Sequence, residues 1–202
     1  MIPLRISKTE VNELPLGQFE GDIVLVDEPK GLPELIRELG QENRLGFDTE
    51  TRPAFRKGVM YDVALLQLST PDKAYLVRLN QVGFSDPLKE LLEEPSIVKI
   101  GAAVRDDLKA LKKLNKSFQP ESFFDLNEEL KKIGFHNVGV RNLSAMVLNI
   151  RISKSEQVSN WEADLLTEKQ KRYAATDAWA CLEIFHELER KGYLEELFKR
   201  GF

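Results

Sequence analysis

The chain has 202 residues, of which 42% are hydrophobic and 31% are charged, and its net charge is −4. This length and balance are typical of one globular domain and leave too little chain for two domains of ordinary size. The negative charge argues against a protein that holds duplex nucleic acid by neutralising many phosphates. It is compatible with an enzyme that grips only a few nucleotides, because bound metal ions then supply the positive charge.

The sequence favours a protein without a membrane partner. No apolar run approaches the roughly 20 residues that a membrane-spanning helix needs. Residues 1–13 contain no long apolar segment of a secretory signal. The one cysteine, Cys181, cannot form an intramolecular disulfide. We therefore expect a cytoplasmic protein.

Residues 1–20 are polar and contain prolines, and we interpret them as an arm leading into a single domain of residues 21–202. The apolar patterns predict strands at 22–27, 45–51, 63–68, 73–77 and 97–100. Helices are expected at 32–39, 87–92, 104–114, 125–133, 141–149 and 167–190. A run of strands, then a strand–helix unit, then helices predicts an α/β fold with one mixed central sheet flanked by helices.

Two acids alternate along the second predicted strand. Asp48 and Glu50 are two residues apart and therefore lie on one face, while Thr49 points to the other. Neighbouring carboxylates repel unless a cation lies between them, and oxygen ligands favour hard ions such as Mg²⁺ or Mn²⁺. The alternative is a solvent-exposed strand face with two acids of no functional role.

A second acid pair, Asp106 and Asp107, begins the helix predicted at 104–114. Acids in a first turn complement the helix dipole, which accounts for Asp106. Asp107, however, falls within the apolar stripe of the helix. Because an inward-facing aspartate is unusual unless it is paired or bound to metal, we assign the functional role to Asp107.

Tyr173 and Asp177 lie four residues apart on the long helix predicted at 167–190, so they are neighbours on one helix face. They border an apolar stripe. The helix can therefore pack against the sheet through this stripe and present both side chains at the rim of the sheet. The alternative is a boundary tyrosine beside an exposed aspartate.

The ordered set of Asp48-Thr-Glu50, Asp107 and Tyr173-Ala-Ala-Thr-Asp177 resembles the tyrosine subtype of the DEDD exonuclease superfamily, which includes ribonuclease D and the Werner-type exonuclease domain. The resemblance runs from about Asp22 to Leu188. It implies an RNase H-like α/β fold and a metal-dependent 3′-5′ exonuclease that releases nucleoside 5′-monophosphates from DNA or RNA.

The resemblance also implies roles for these residues. Asp48, Glu50 and Asp177 would hold the first of two divalent cations, Mg²⁺ or Mn²⁺. Asp48 would bridge to the second, on which Asp107 would act through water. Tyr173 would orient the attacking water, so the five residues together form the expected catalytic site.

The substrate implied by the resemblance is a nucleic acid with a free 3′ end, single-stranded or 3′-recessed. Candidate contacts to it are Thr49, through its backbone, Arg52 in the loop after the first motif, and Asn160. Lys57 and Arg56 lie in the same loop. Two alternatives remain: a catalytically weak nucleic-acid-binding module of the same fold, or a phosphoesterase acting on small nucleotides or oligonucleotides. A dinucleotide-binding fold is disfavoured, because the segment at Gly101 lacks the required further glycines.

Overall fold

The computed structural model describes residues 1–56 and 58–195; Lys57 and residues 196–202, the end of the expected domain, lie outside the described residues. The strands are β1 (Asp22–Val26), β2 (Arg44–Thr51), β3 (Val63–Ser69), β4 (Lys73–Arg78), β5 (Val98–Gly101) and β6 (Phe123–Asp125). The α-helices are α1 (Lys8–Glu13), α2 (Leu32–Leu39), α3 (Leu79–Val82), α4 (Asp86–Glu93), α5 (Arg105–Leu114), α6 (Leu126–Lys132), α7 (Val140–Leu143) and α8 (Glu168–Arg190). A π-helical turn, Ser144–Leu148, extends α7.

The described strands form one six-stranded mixed sheet in the order β1-β4-β3-β2-β5-β6. Strand β3 is antiparallel to both β2 and β4, whereas β5 runs parallel to β2 and β6. Strand β2 therefore lies inside the sheet between an antiparallel and a parallel neighbour. This mixed sheet agrees with the architecture expected from the order of the elements.

Helices cover both faces of the sheet. Helices α2, α4 and α5 pack against one face and form an apolar core with it. The fully buried residues of this core include Leu35, Leu45, Phe47, Leu88 and Leu111. Helix α8 crosses the other face over β2, β3, β4 and β5. The two apolar layers hold β2 in place, and the C-terminal end of β2 meets α8 where the predicted site residues lie.

The close contact between α8 and β2 depends on the absence of a side chain at Gly46. A Cβ atom there would overlap the carbonyl oxygen of Ala178 and the hydroxyl of Ser69. At the other end of the contact, the guanidinium of Arg44 donates two hydrogen bonds of 2.6 Å to the carboxylate of Glu189. A capping box between Thr167 and Gln170 begins the helix, in agreement with the helix start predicted at residue 167.

Strand β6 and helices α1 and α3 are elements that the sequence did not predict. Strand β6 lies where the sequence predicts the start of a helix, because Asp125 both ends this three-residue strand and caps α6. Residues 1–20 contain a helix, α1, and bury Ile2, Val11 and Phe19 against the rest of the chain. In the part of the chain that is described, no helix combines the length and apolar character needed to cross a bilayer.

Candidate active site

The carboxylates of Asp48, Glu50 and Asp177 come together at the rim of the sheet. One oxygen from each lies within 4.8 Å of the other two. Asp48 and Glu50 project from the same face of β2. Helix α8 packs against this face and contributes Asp177. Three carboxylates at such separations repel strongly in a partly buried site, so the arrangement suits oxygen ligands around a cation.

Burial and neighbouring charges raise the pKa values of these three carboxyl groups. Burial, followed by the charge of Asp48, raises the pKa of Glu50 to about 10. Burial also raises the pKa of Asp177 to about 7, although a polar contact with Tyr173 opposes the rise. The pKa of Asp48 is raised well above its ordinary value, first by burial and then by the charges of Asp177 and Asp107. A divalent cation would reverse these shifts by stabilising the ionised forms.

Asp107 reaches the site from the opposite helix layer. It lies in the first turn of α5 and is not one of the three close carboxylates. The hydroxyl of Thr49 donates a 2.5 Å hydrogen bond to Asp107, which partly offsets the effect of burial and leaves the pKa of Asp107 at about 6. Asp106, by contrast, is exposed and pairs with Lys109 at 2.8 Å. Asp106 thus faces solvent while Asp107 faces the interior, as the helical period predicts.

Thr49 was proposed as a nucleic-acid contact through its backbone, but its side chain has another role. Because it points to the face opposite Asp48 and Glu50, its hydroxyl meets α5 and holds Asp107. Thr49 also lines the cavity that contains the acids. This hydrogen bond joins strand β2 to helix α5.

Tyr173 lies one helical turn from Asp177 and lines the same cavity, whose volume is about 710 Å³. Burial and the negative charge of Asp177 raise the pKa of the tyrosine hydroxyl, so it stays protonated at neutral pH. Its ring packs against Trp161, with 6.0 Å between ring centroids. Trp161 is fully buried, so it is a packing residue beside Tyr173.

Asp125 fixes the loop that leads to Asp107 and was not recognised in the sequence. Its carboxylate accepts backbone N–H bonds of 3.0 Å each from Ala103 and Val104, and caps α6 through Asn127 at 2.8 Å. Ala103 has a φ of 64°, in the left-handed region, so the turn needs such support. The pattern of Asp125 and Glu128 three residues later is a helix-start signal that could have located this residue.

Arg52 and Asn160 line a second cavity, of about 440 Å³, which is separate from the one containing the acids. The Arg52 guanidinium lies 4.8 Å from the centre of the Tyr61 ring and 3.1 Å from the carboxylate of Glu162. Phe55 lines the same cavity and is 84% exposed. The structure thus brings Arg52 and Asn160, the two predicted substrate contacts, to one cavity beside an exposed aromatic ring.

Comparison with known proteins places these features in a family. A family model described as 3′-5′ exonuclease matches residues 23–192. The bifunctional 3′-5′ exonuclease/ATP-dependent helicase WRN of Mus musculus is 33% identical over 200 residues, which cover 93% of this chain and 14% of WRN. Ribonuclease D of Pseudomonas paraeruginosa is 30% identical over 172 residues, which cover 84% of this chain and 45% of that protein. The chain thus spans less than half the length of these two relatives.

Solved structures give the same result for the fold. The EXO domain of Aedes aegypti Nibbler aligns with a TM-score of 0.80 and 24% identity, covering 90% of this chain and 94% of that domain. The likeness confirms the predicted RNase H-like α/β fold, with its mixed sheet between helices.

Proposed function

Since this chain belongs to the 3′-5′ exonuclease family, we propose that it shortens single-stranded DNA or RNA from the 3′ end and releases nucleoside 5′-monophosphates. The observation that carries the proposal is the close group of Asp48, Glu50 and Asp177, with Tyr173 one helical turn from Asp177 in the same cavity. Hydrolysis of a phosphodiester needs a positioned water and stabilisation of a departing oxygen, and this group offers residues for both.

The donor set fits divalent cations. Asp48, Glu50 and Asp177 offer only carboxylate oxygens, which select hard ions, so we propose two ions of Mg²⁺ or Mn²⁺ as the cofactors. Asp48 would serve both ions, and Asp107 would serve the second through water. When bound, such a pair lowers the pKa of the attacking water and neutralises charge on the departing 3′ oxygen.

The role of Tyr173 follows from its protonation state. A tyrosine hydroxyl has an ordinary pKa of about 10, so it keeps its proton at neutral pH even when cations neutralise the neighbouring carboxylates, and it is a poor general base. It can donate one hydrogen bond and accept another, which is what holding a water in line with a phosphorus atom requires. We therefore assign Tyr173 to positioning the nucleophilic water rather than to deprotonating it.

We propose that the second cavity contacts bases of the strand upstream of the nucleotides that lie at the N-terminal wall of the catalytic cavity. Exposed aromatic rings bind the faces of unpaired bases, and stacking contributes roughly 1–3 kcal/mol per base. Phe55 and Tyr61 offer such faces, while Arg52 and Asn160 offer donors to phosphate or base edges. Because stacking tolerates any base, we expect little sequence preference at this cavity.

The test is a gel assay with 5′-labelled 20-mers of single-stranded DNA and RNA, in Mg²⁺, Mn²⁺ or EDTA. A ladder that shortens from the 3′ end, and is absent in EDTA, is the expected result. Asp48→Asn should lower the rate about 10³-fold or more, because each 1.36 kcal/mol of lost transition-state stabilisation costs a factor of ten. Asp106→Asn is the matched control, since this exposed acid lies beside Asp107 but outside the site.

The control variant separates a local effect from a general loss of negative charge. Equal losses in Asp48→Asn and Asp106→Asn would contradict the assigned site. Shortening of 2–5-mers but not of 20-mers would favour the small-oligonucleotide phosphoesterase. Binding of 20-mers without shortening of any substrate would favour the nucleic-acid-binding module.

A further inference from the structure

Part of the wall of the catalytic cavity comes from the N-terminal segment, residues 1–20. Ile6, Lys8 and Val11 line the same cavity as Asp48 and Asp177. The family match covers residues 23–192, so this segment precedes the part of the chain that the family model describes. The cavity is therefore completed by residues outside the matched domain.

The N-terminal segment is fixed in place rather than loosely attached. Leu4 accepts a 2.9 Å hydrogen bond from the backbone N–H of His136, and Gly17 donates one of 2.9 Å to Arg151. Further along, the backbone N–H of Phe19 donates a 3.0 Å bond to the hydroxyl of Thr176, one residue before Asp177. These hydrogen bonds attach the segment to the rest of the chain, so its residues form part of the cavity wall.

Three cations line this cavity: Lys8, Arg141 and Lys154. Within the described ranges, 1–56 and 58–195, none of the three has an ion-pair partner. The charge of Lys154 lowers the pKa of Asp177 against the effect of burial, so it acts on the acidic group directly. The chain as a whole has more acidic than basic side chains, 33 against 29. Three cations without ion-pair partners nevertheless line the cavity that contains the acids.

Arg141 is held by the N-terminal segment. One terminal nitrogen, Nη2, donates a 2.9 Å hydrogen bond to the side-chain oxygen of Asn12, which lies in α1. The Nε atom of Arg141 is buried and has no hydrogen-bond partner in the structure. The segment thus supplies one cation itself and orients a second, which lines the same cavity.

We infer that the N-terminal segment is a substrate-binding element, in which Lys8 and the Asn12-braced Arg141 bind the phosphodiester backbone of single-stranded nucleic acid beside the scissile phosphate. This inference rests on the proposed function, because the acids fix where the scissile phosphate lies. A strand carries one negative charge per nucleotide, so a phosphate held by the acids and their cations brings the neighbouring phosphates towards this wall. Unpaired cations bind such phosphates without first breaking an ion pair.

The test compares Lys8→Ala with Arg5→Ala. Arg5 is exposed, lies in the same segment and carries the same charge, but it does not line the cavity. Binding of 5′-fluorescein 12-mers of DNA and RNA is measured by anisotropy with all proteins carrying Asp48→Asn, so that the strand stays intact. Lys8→Ala should raise Kd about tenfold, as expected for a lost hydrogen bond to a charged group. The slope of log K against log salt should fall by about 0.7, the value for one single-strand phosphate contact.

Asn12→Ala supplies a second, independent variant that removes no charge. It should raise Kd by a smaller factor, about threefold, because it frees Arg141 without removing its guanidinium. Melting temperatures of all variants check that the fold persists. Equal effects of Lys8→Ala and Arg5→Ala would overturn the inference, as would no effect of either, or no measurable binding of the 12-mers by the parent protein.

The outcomes also distinguish this inference from the proposed function. Binding that depends on Lys8, combined with no shortening of any strand by the protein with Asp48 restored, would retain the subsite and reject the exonuclease. Shortening that is insensitive to Lys8→Ala, both in Kd and in KM, would retain the exonuclease and reject the subsite.

Discussion

The two faces of β2 have opposite environments. On one face, Leu45 and Phe47 are fully buried in the apolar core beneath α2, α4 and α5. On the other face, Gly46 lies against α8, and Asp48 and Glu50 follow it towards the rim of the sheet. The strand therefore contributes to folding through one set of alternate residues and to the site through the other. Apolar burial on one face stabilises a strand whose other face carries mutually repelling charges.

The largest effect should come from filling the contact on the catalytic face. Gly46→Ala would place a methyl group against the Ala178 carbonyl and move α8, with Asp177, away from Asp48. We expect a loss of about 3 kcal/mol in the free energy of unfolding from overpacking. The rate of the remaining folded protein should fall about 100-fold, because displacements near 1 Å cost that much.

Leu45→Ala is the control for Gly46→Ala on the opposite face of the same strand. It should cost a similar amount, about 3 kcal/mol, by leaving a cavity. Denaturant unfolding and the rate per folded molecule are measured for both variants. If Leu45→Ala lowered that rate as much as Gly46→Ala, the separation of roles between the two faces would be refuted.

The next largest effect should come from Tyr173→Phe. Removing the hydroxyl that positions water should lower kcat about 100-fold while leaving the metal ligands intact. Calorimetric titration with Mn²⁺ should give an affinity within about twofold of the parent, since the assigned ligands are the carboxylates. Loss of metal binding in Tyr173→Phe would show that the assigned role of the hydroxyl is wrong.

A smaller effect is expected from removing the hydrogen bond between β2 and α5. Thr49→Val removes the hydrogen bond to Asp107 while keeping the β-branched shape. We expect kcat to fall about tenfold, equivalent to roughly 1.4 kcal/mol, which is within the range for one such bond. Thr49→Ser keeps the hydroxyl and should retain most activity. Equal losses in the two variants would mean that packing, rather than the hydrogen bond, positions Asp107.

The last prediction concerns the stability of the metal-free protein. Asp177 has a pKa of about 7 in the folded chain, whereas the ordinary value is about 3.9. A raised pKa means that the folded state retains a proton, so its stabilising contribution is complete below about pH 4 and is lost as the pH rises to 7. In EDTA, the melting temperature should fall by up to about 3 °C per pH unit over this range from this group.

The control for this pH effect is Asp177→Asn, which removes the titrating group. Its melting temperature should depend less steeply on pH between 4 and 7 than that of the parent. Mn²⁺ should raise the melting temperature of the parent more at pH 8 than at pH 5, because ligand carboxylates must lose their protons to bind. Parallel pH profiles of the two proteins in EDTA would contradict the raised pKa.

The alternation of β2 and the helical period of α5 were readable from the sequence, because both depend on local geometry. Asp48 and Glu50 share a face by the period of two, and Asp106 and Asp107 separate by the period of 3.6. The same local rules located α2, with its end at Gly40, and the start of α8 at Thr167. The roles of these residues in metal binding and catalysis stay predictions.

Features that depend on distant contacts could not be read in this way. Strand β6 has three residues and forms because β5 lies beside it, so no local pattern distinguishes it from a helix start. The role of Thr49 in holding Asp107 joins residues 58 positions apart. The contribution of Lys8 to the cavity likewise requires the fold to bring it beside Arg141 and Lys154, which are distant in the sequence.

The position of α8 in the chain has a consequence for how the protein is made. Asp177 lies 129 residues after Asp48, and α8 is the last helix of the matched domain. During synthesis the chain emerges from its N-terminus, so β2 appears well before the helix that completes the carboxylate group. A nascent chain that ends before α8 therefore lacks a complete site and should be inert towards the nucleic acids around the ribosome.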